Sequence, residues 1–91
     1  MEYIKIENIK SNKGNKVPNQ FVLRTIDGVY FQSYQTVIAF RPVDIALPIL
    51  LDPKWNCSRT TSKYRTIFLD ESTKETRAKI DSGEYKIAKL N

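Results

Sequence analysis

Three features of the sequence predict an α+β fold. The first half alternates apolar and polar residues at strand period, the segment after Thr61 changes to helical spacing, and the stretch after Gly83 alternates again. The order β-β-β-β-(β)-α-α-β implies a small twisted, mainly antiparallel sheet with two short helices on one face. Residues 1–91 read as a single domain, with no repeat, low-complexity tract or interdomain linker.

The elements follow in order. Tyr3 to Ile9 opens in alternation, Ile4 and Ile6 facing one way and Lys5 and Glu7 the other. The slip at Asn8-Ile9 predicts a bulge or the end of the strand. Ser11 to Asn19 gathers Ser, Asn, Gly, Lys and Pro and predicts an exposed loop. Gln20 to Ile26 and Val29 to Gln32 flank Asp27-Gly28, residue types that tolerate the positive φ angles of a two-residue type I′ turn, so a hairpin is expected there. Gln35 to Arg41 is rich in strand formers and ends at Pro42, which cannot donate to a ladder. Ile49 to Leu51 allows one more short strand, closed by Asp52-Pro53.

From Thr61, the residues Tyr64, Ile67 and Phe68 recur at helical spacing, with Lys63, Arg65 and Thr66 on the other side and Thr60 or Thr61 as the cap. Ser72-Thr73-Lys74-Glu75 is a capping box, in which the Ser72 hydroxyl accepts from the Glu75 amide while the Glu75 carboxylate reaches back. It starts a helix that runs through Ala78 and Ile80 and stops at Gly83. Glu84 to Leu90 alternates Tyr85 and Ile87 against Lys86 and Ala88, which predicts a last strand.

With 41% hydrophobic and 11% aromatic residues, the chain can build one core without metals or disulfides, and general disorder is excluded. Fifteen Lys and Arg against ten Asp and Glu give a net charge of +5, which favours acidic partners and nucleic acid above all. A single cysteine, Cys57, rules out an internal disulfide framework and points to a reducing compartment. The charged, alternating start is no secretion signal, and the most apolar stretch, Ile45 to Leu51, is broken by Pro48 and too short to cross a bilayer. A soluble, cytoplasmic protein without a membrane partner is expected.

Histidine is absent, which removes the commonest general base and the commonest metal ligand, and leaves Cys57 without a base partner. Cys57 is expected to be a plain, semi-buried thiol. The adjacent carboxylates Asp70-Glu71 precede the capping box, where negative charge favours the coming helix N-terminus. The three glycines, at 14, 28 and 83, all fall at turns, so no phosphate-cradling loop exists. No catalytic residue, metal or cofactor is expected, and the chain reads as a binding protein and not an enzyme.

The stretch Lys54 to Arg65, KWNCSRTTSKYR, carries Lys54, Arg59, Lys63 and Arg65 without an acid among them, interleaved with Trp55 and Tyr64. Hydroxyls lie at 58, 60, 61, 62 and 66. Lys and Arg neutralise phosphates, Ser and Thr hydroxyls bond phosphate oxygens, and an exposed Trp stacks on an unpaired base. Lys54, Trp55, Arg59, Thr60, Lys63 and Arg65 are therefore the candidate partner- or nucleic-acid-binding residues. The bland alternative makes Tyr64 and Trp55 core and the basic residues a solvated face. A second basic group, Lys10, Lys13 and Lys16, sits on the predicted Ser11–Asn19 loop, and whether it joins the first depends on how the sheet folds. Tyr30 and Phe31 face opposite sides of their strand, and an exposed aromatic there would mark a protein-binding patch.

The second half resembles a family of very small bacteriophage- and prophage-encoded proteins catalogued as a domain of unknown function. The resemblance lies in Ser33 to Ala39, in Ser58-Arg59-Thr60-Thr61-Ser62-Lys63-Tyr64-Arg65, in Phe68-Leu69, and in Glu75-Thr76-Arg77, and it continues through Ile80-Asp81-Ser82-Gly83-Glu84-Tyr85 to Leu90-Asn91. It covers about two-thirds of the chain. Trp55 is followed here by Asn56 and Cys57, where the family pattern places a second tyrosine. The resemblance implies a phage-type setting in the host bacterial cytoplasm and a compact fold, with no established activity attached. The expected function is a non-enzymatic phage-type accessory protein that binds and inhibits or modulates a host protein or nucleoprotein, in the manner of an anti-CRISPR protein acting on an RNA-guided defence complex. The alternative is a basic regulatory module acting directly on DNA or RNA.

Overall fold

The computed structural model describes residues 5–91, so the expectations for Tyr3 and Ile4 lie outside the described residues. The α+β reading holds: a six-stranded, mostly antiparallel sheet carries two helices between its fifth and sixth strands. The strands are β1 (Lys5–Lys10), β2 (Lys16–Arg24), β3 (Gly28–Ser33), β4 (Thr36–Pro42), β5 (Leu50–Leu51) and β6 (Lys86–Ile87). The helices are α1 (Arg59–Leu69) and α2 (Thr73–Asp81). The sheet order follows the chain, β1-β2-β3-β4-β5-β6, each pair antiparallel except the last. β5 and β6 pair in parallel because the intervening helices return the chain to the same end of the sheet, as a crossover connection must.

The slip at Asn8-Ile9 is a bulge, with the β1–β2 register shifting between Asn8 and Lys10. Past it, Lys10 pairs with Lys16, and the Asn8 side-chain amide donates to the Val17 carbonyl at 3.0 Å. These bonds draw Lys16 to Asn19 into β2, so the exposed loop is shorter than expected and spans only 11–15. The β2–β3 hairpin is also displaced by one residue. Arg24 pairs with Val29 and the Thr25 amide donates to the Gly28 carbonyl at 2.8 Å, so the turn residues are Ile26-Asp27, neither with positive φ. The Thr25 hydroxyl decides this, accepting from both the Asp27 and the Gly28 amides at 3.2 Å. Gly28 is required for a different reason: at φ 152° its Cα lies under the Phe40 ring and against the Arg41 carbonyl, where a Cβ would collide.

Helix α1 starts two residues before Thr61. Ser58, in extended conformation, accepts from the Thr61 amide at 3.1 Å and is the cap. The capping box of α2 is present with both its bonds at 3.1 Å, and Gly83 follows the helix at φ 84°. The expected last strand shrinks to Lys86–Ile87, with Tyr85 buried before it and Ile87 exposed within it.

Cross-strand register sorts the sheet into two faces. Glu7, Val22, Phe31, Ala39, Leu51 and Ile87 form one row beneath the helices. Phe31, Ala39 and Leu51 from this row, together with Ile38, Phe68, Leu69 and Tyr85, make the main core, and the Phe31 and Phe68 rings stack at 5.7 Å. Each large apolar side chain buried there contributes about 1.5–3 kcal/mol. The neighbouring row on the other face runs Ile6, Leu23, Tyr30, Phe40, Leu50 and Lys86.

Buried polar groups tie the ends of the chain to this frame. Asp52 accepts from the Leu90 amide at 2.9 Å and from the Asn91 side chain at 3.0 Å. Asn91 in turn brackets Val37, accepting from its amide at 2.8 Å and donating to its carbonyl at 3.0 Å, as a strand neighbour would. No helix among the described residues is long and apolar enough to cross a membrane.

Candidate functional site

The N-terminal turn of α1 is held in place by hydroxyls. Thr61 is buried, and its Oγ1 accepts from the Ser58 hydroxyl and shares a proton with Ser33 of β3, both at 3.1 Å. The anchored turn leaves Arg59, Lys63 and Thr66, at i, i+4 and i+7, on the outer face of the helix. Together with Asn56, Ser58, Ser62 and Thr73 they line an open groove of about 620 Å³. The groove holds two cations, four hydroxyls and an amide, with no carboxylate among its lining residues. Such a set binds the oxygens of an anion by charge and by hydrogen bonds.

Lys63 borders a second concavity as well, shared with Ser11, Asn12 and Lys13 of the β1–β2 loop and with Tyr64 and Ile67. The fold thus joins one member of the second basic group, Lys13, to the α1 face, a proximity set by the sheet and invisible in a linear reading. The basic strip runs from Lys13 through Lys63 to Arg59.

The six candidate residues do not form one surface. Arg59 and Lys63 are exposed on the groove. Thr60 is exposed on the same turn outside the groove lining, and Lys54 lines a separate concavity with Asp52, Pro53, Lys89 and Asn91. Arg65, expected on the outer face of the helix, is fully buried. The reason is helical spacing: 61, 65, 68 and 69 form the buried stripe of α1, so Arg65 is carried inward with Thr61, Phe68 and Leu69.

Arg65 does structural work in that position. Its guanidinium donates to the Trp55 carbonyl at 2.6 Å, the Thr73 hydroxyl at 2.6 Å and the Asn56 side chain at 3.4 Å, while Nε has no partner. Burial pulls its pKa below the usual arginine value, partly offset by the charge of Glu71. Because Asn56 and Thr73 line the groove, a buried positive charge stands directly behind its wall.

Trp55 is also corrected as a stacking platform. It is half-buried and packs on the main core. The guanidinium groups of Arg65 and Arg77 lie 4.8 and 5.2 Å from its ring centroid, so the ring is engaged with protein cations. Tyr64 is half-buried against the same core, and Cys57, expected semi-buried, is exposed.

The carboxylate pair expected to favour the α2 N-terminus divides its roles. Asp70 caps the C-terminus of α1 in left-handed conformation at φ 56°. Glu71 is buried and accepts from Tyr85 at 2.5 Å, Thr76 at 2.6 Å and Lys79 at 2.9 Å. Burial raises the Glu71 carboxyl, but these hydrogen bonds outweigh it and hold it below its usual value, while burial pushes the Tyr85 hydroxyl up to about 12. This network fastens α2 to the chain before β6.

A family model described as a family of unknown function (DUF8033) matches residues 4–84. No curated protein and no solved structure matches the chain.

Proposed function

Because the chain belongs to DUF8033, a family of unknown function, we propose its role from its surface: a non-catalytic binding protein whose α1 face engages nucleic-acid phosphates within a host nucleoprotein. The carrying observation is the carboxylate-free groove in which Arg59 and Lys63 stand among four hydroxyls, continued by Lys13. The loop between β4 and β5 supports a protein component of the partner. Val43, Ile45 and Leu47 are exposed there, beside an exposed Ile26 brought close by the Val43 amide bond to the Asp27 carbonyl at 3.0 Å. In the phage-type setting that the sequence pattern implies, the partner is a host nucleoprotein, such as an RNA-guided defence complex, which the protein inhibits or modulates stoichiometrically.

A pull-down from host lysate with and without nuclease tests this reading. The nucleoprotein is retained by the parent chain, and Arg59→Ala with Lys63→Ala releases it while melting like the parent. Inhibition saturates near equimolar protein. Multiple turnover, or undiminished retention by the double variant, would sink the proposal.

The basic strip also supports a second reading, a regulatory module acting directly on DNA or RNA. In that case the purified chain shifts nucleic acid without any protein partner. Its log affinity falls with log salt by about 0.9 per phosphate neutralised on duplex DNA, and the double variant flattens that slope. No shift at low salt would remove this alternative.

A further inference from the structure

The sheet face turned away from the helices is almost free of charge, although the chain as a whole carries +5. Its rows are Ile6-Leu23-Tyr30-Phe40-Leu50-Lys86 and Asn8-Phe21-Gln32-Val37, extended at the turn end by the Gly28–Pro42 pair. Lys86, on the edge strand, is the one charge in these rows. The row beneath the helices and its neighbour, Lys5-Arg24-Val29-Arg41, take Lys5, Glu7, Arg24 and Arg41. None of the apolar residues on the far face belongs to the main core. Ile6 is 58% exposed, and Phe21, Tyr30, Phe40 and Leu50 remain half-exposed to solvent.

We infer that this face is the contact surface between two copies of the chain, joined sheet to sheet about a twofold axis. An interface centre is marked by depleted charge and enriched aromatics, which describes this face and not the α1 face. Nucleic acid does not fit it, because no cations line it to neutralise phosphates and the Tyr30 and Phe40 rings already pack on each other at 4.3 Å. The required partner presents an equally broad, uncharged apolar surface, and a second copy presents that same surface in an isologous contact. The area suffices: the molecule's broad dimensions are 34 by 29 Å, and a standard interface buries about 800 Å² per partner. The net charges do not oppose the pairing. The basic α1 faces lie on the outer sides of two layers, each 21 Å thick, beyond the screening distance of about 8 Å at physiological salt.

Sedimentation velocity on the full chain, from low micromolar to the highest soluble concentration, tests the inference. A species of twice the 10.6 kDa chain mass is expected, and raising salt leaves it intact. Ile6→Lys, and separately Gln32→Lys, shift the population to monomer while circular dichroism and melting remain those of a folded chain. Ile67→Lys, on the helix side, leaves the dimer in place. A chain that stays monomeric throughout overturns the inference. So does a dimer that survives both sheet variants yet dissociates with Ile45→Lys, which would place the contact on the β4–β5 loop.

Discussion

Truncating Arg65 removes three hydrogen bonds from one buried guanidinium and leaves the Trp55 carbonyl and Thr73 hydroxyl without their donor. Arg65→Ala should therefore destabilise by about 3 kcal/mol, a fall in melting temperature of roughly 15 °C for a chain this size. Arg59→Ala and Lys63→Ala, both exposed, should each change stability by no more than about 0.5 kcal/mol. Thermal melting of the three variants separates framework from surface within one helix. Arg65 counted as a surface residue in the sequence because charge was read before spacing. Phe68 and Leu69 are plainly apolar, and the residue three and four positions before them shares their face.

The same scale sets the response to acid. Burial raises Glu71 and Asp52, yet their hydrogen-bond donors outweigh it, leaving the folded values below the ordinary 4.5 and 3.8. A carboxyl lowered on folding adds stability that is fully present above its ordinary value and is lost as pH falls through the lowered one. Melting temperature should stay flat from neutrality to about 4.5 and drop below it. Glu71→Gln should melt lower at neutral pH and show a shallower acid fall, read by a pH series of melting curves.

At the scale of elements, caps and turns decide where the chain changes direction. Ser58→Ala and Ser72→Ala should each cost about 1 kcal/mol, the usual worth of an N-cap. The two differ in consequence, because Ser58 also bonds Thr61, which joins α1 to β3, so its loss should weaken partner binding as well. Gly28→Ala should cost roughly 2 kcal/mol from strained φ and the displaced Phe40 ring, and chemical denaturation would measure it. The far end of α1 is closed by Arg41, which donates to the Phe68 carbonyl at 2.5 Å and lies 4.7 Å over the Phe68 ring. The capping box and the bulge at Ile9 were legible because local residue types determine them. The β2–β3 turn was not, since the Thr25 hydroxyl outcompeted the stronger local signal of Asp-Gly.

For the whole molecule, the sheet-and-helix plan was legible from the change of hydrophobic period, and the site only in part. Arg59 and Lys63 stood out as basic residues, whereas Asn56, Thr73 and Lys13 join them through contacts between α1, the start of α2 and the β1–β2 loop. Those neighbours are remote in sequence, and no spacing rule connects them. Adding Lys13→Ala to the Arg59→Ala, Lys63→Ala pair should weaken nucleic-acid binding further without lowering the melting temperature. A titration at fixed salt that shows no added loss would confine the interface to the α1 groove.

The parallel pairing of β5 with β6 also orders events in time. The first four strands form by successive hairpins over short loops, steps of microseconds once nucleated. β6 pairs only after both helices have turned the chain back, and the Asn91 bonds to Val37 close a separation of 54 residues. The last strand should therefore dock late in folding and open early in the native state. Amide hydrogen exchange should report Lys86 and Ala88, which donate to Ile49 and Leu51, as less protected than Phe31 or Ala39 at the centre of the sheet. Asn91→Ala should widen that gap while leaving exchange in β2 and β3 unchanged. Equal protection across all six strands would mean that the sheet folds and opens as one unit.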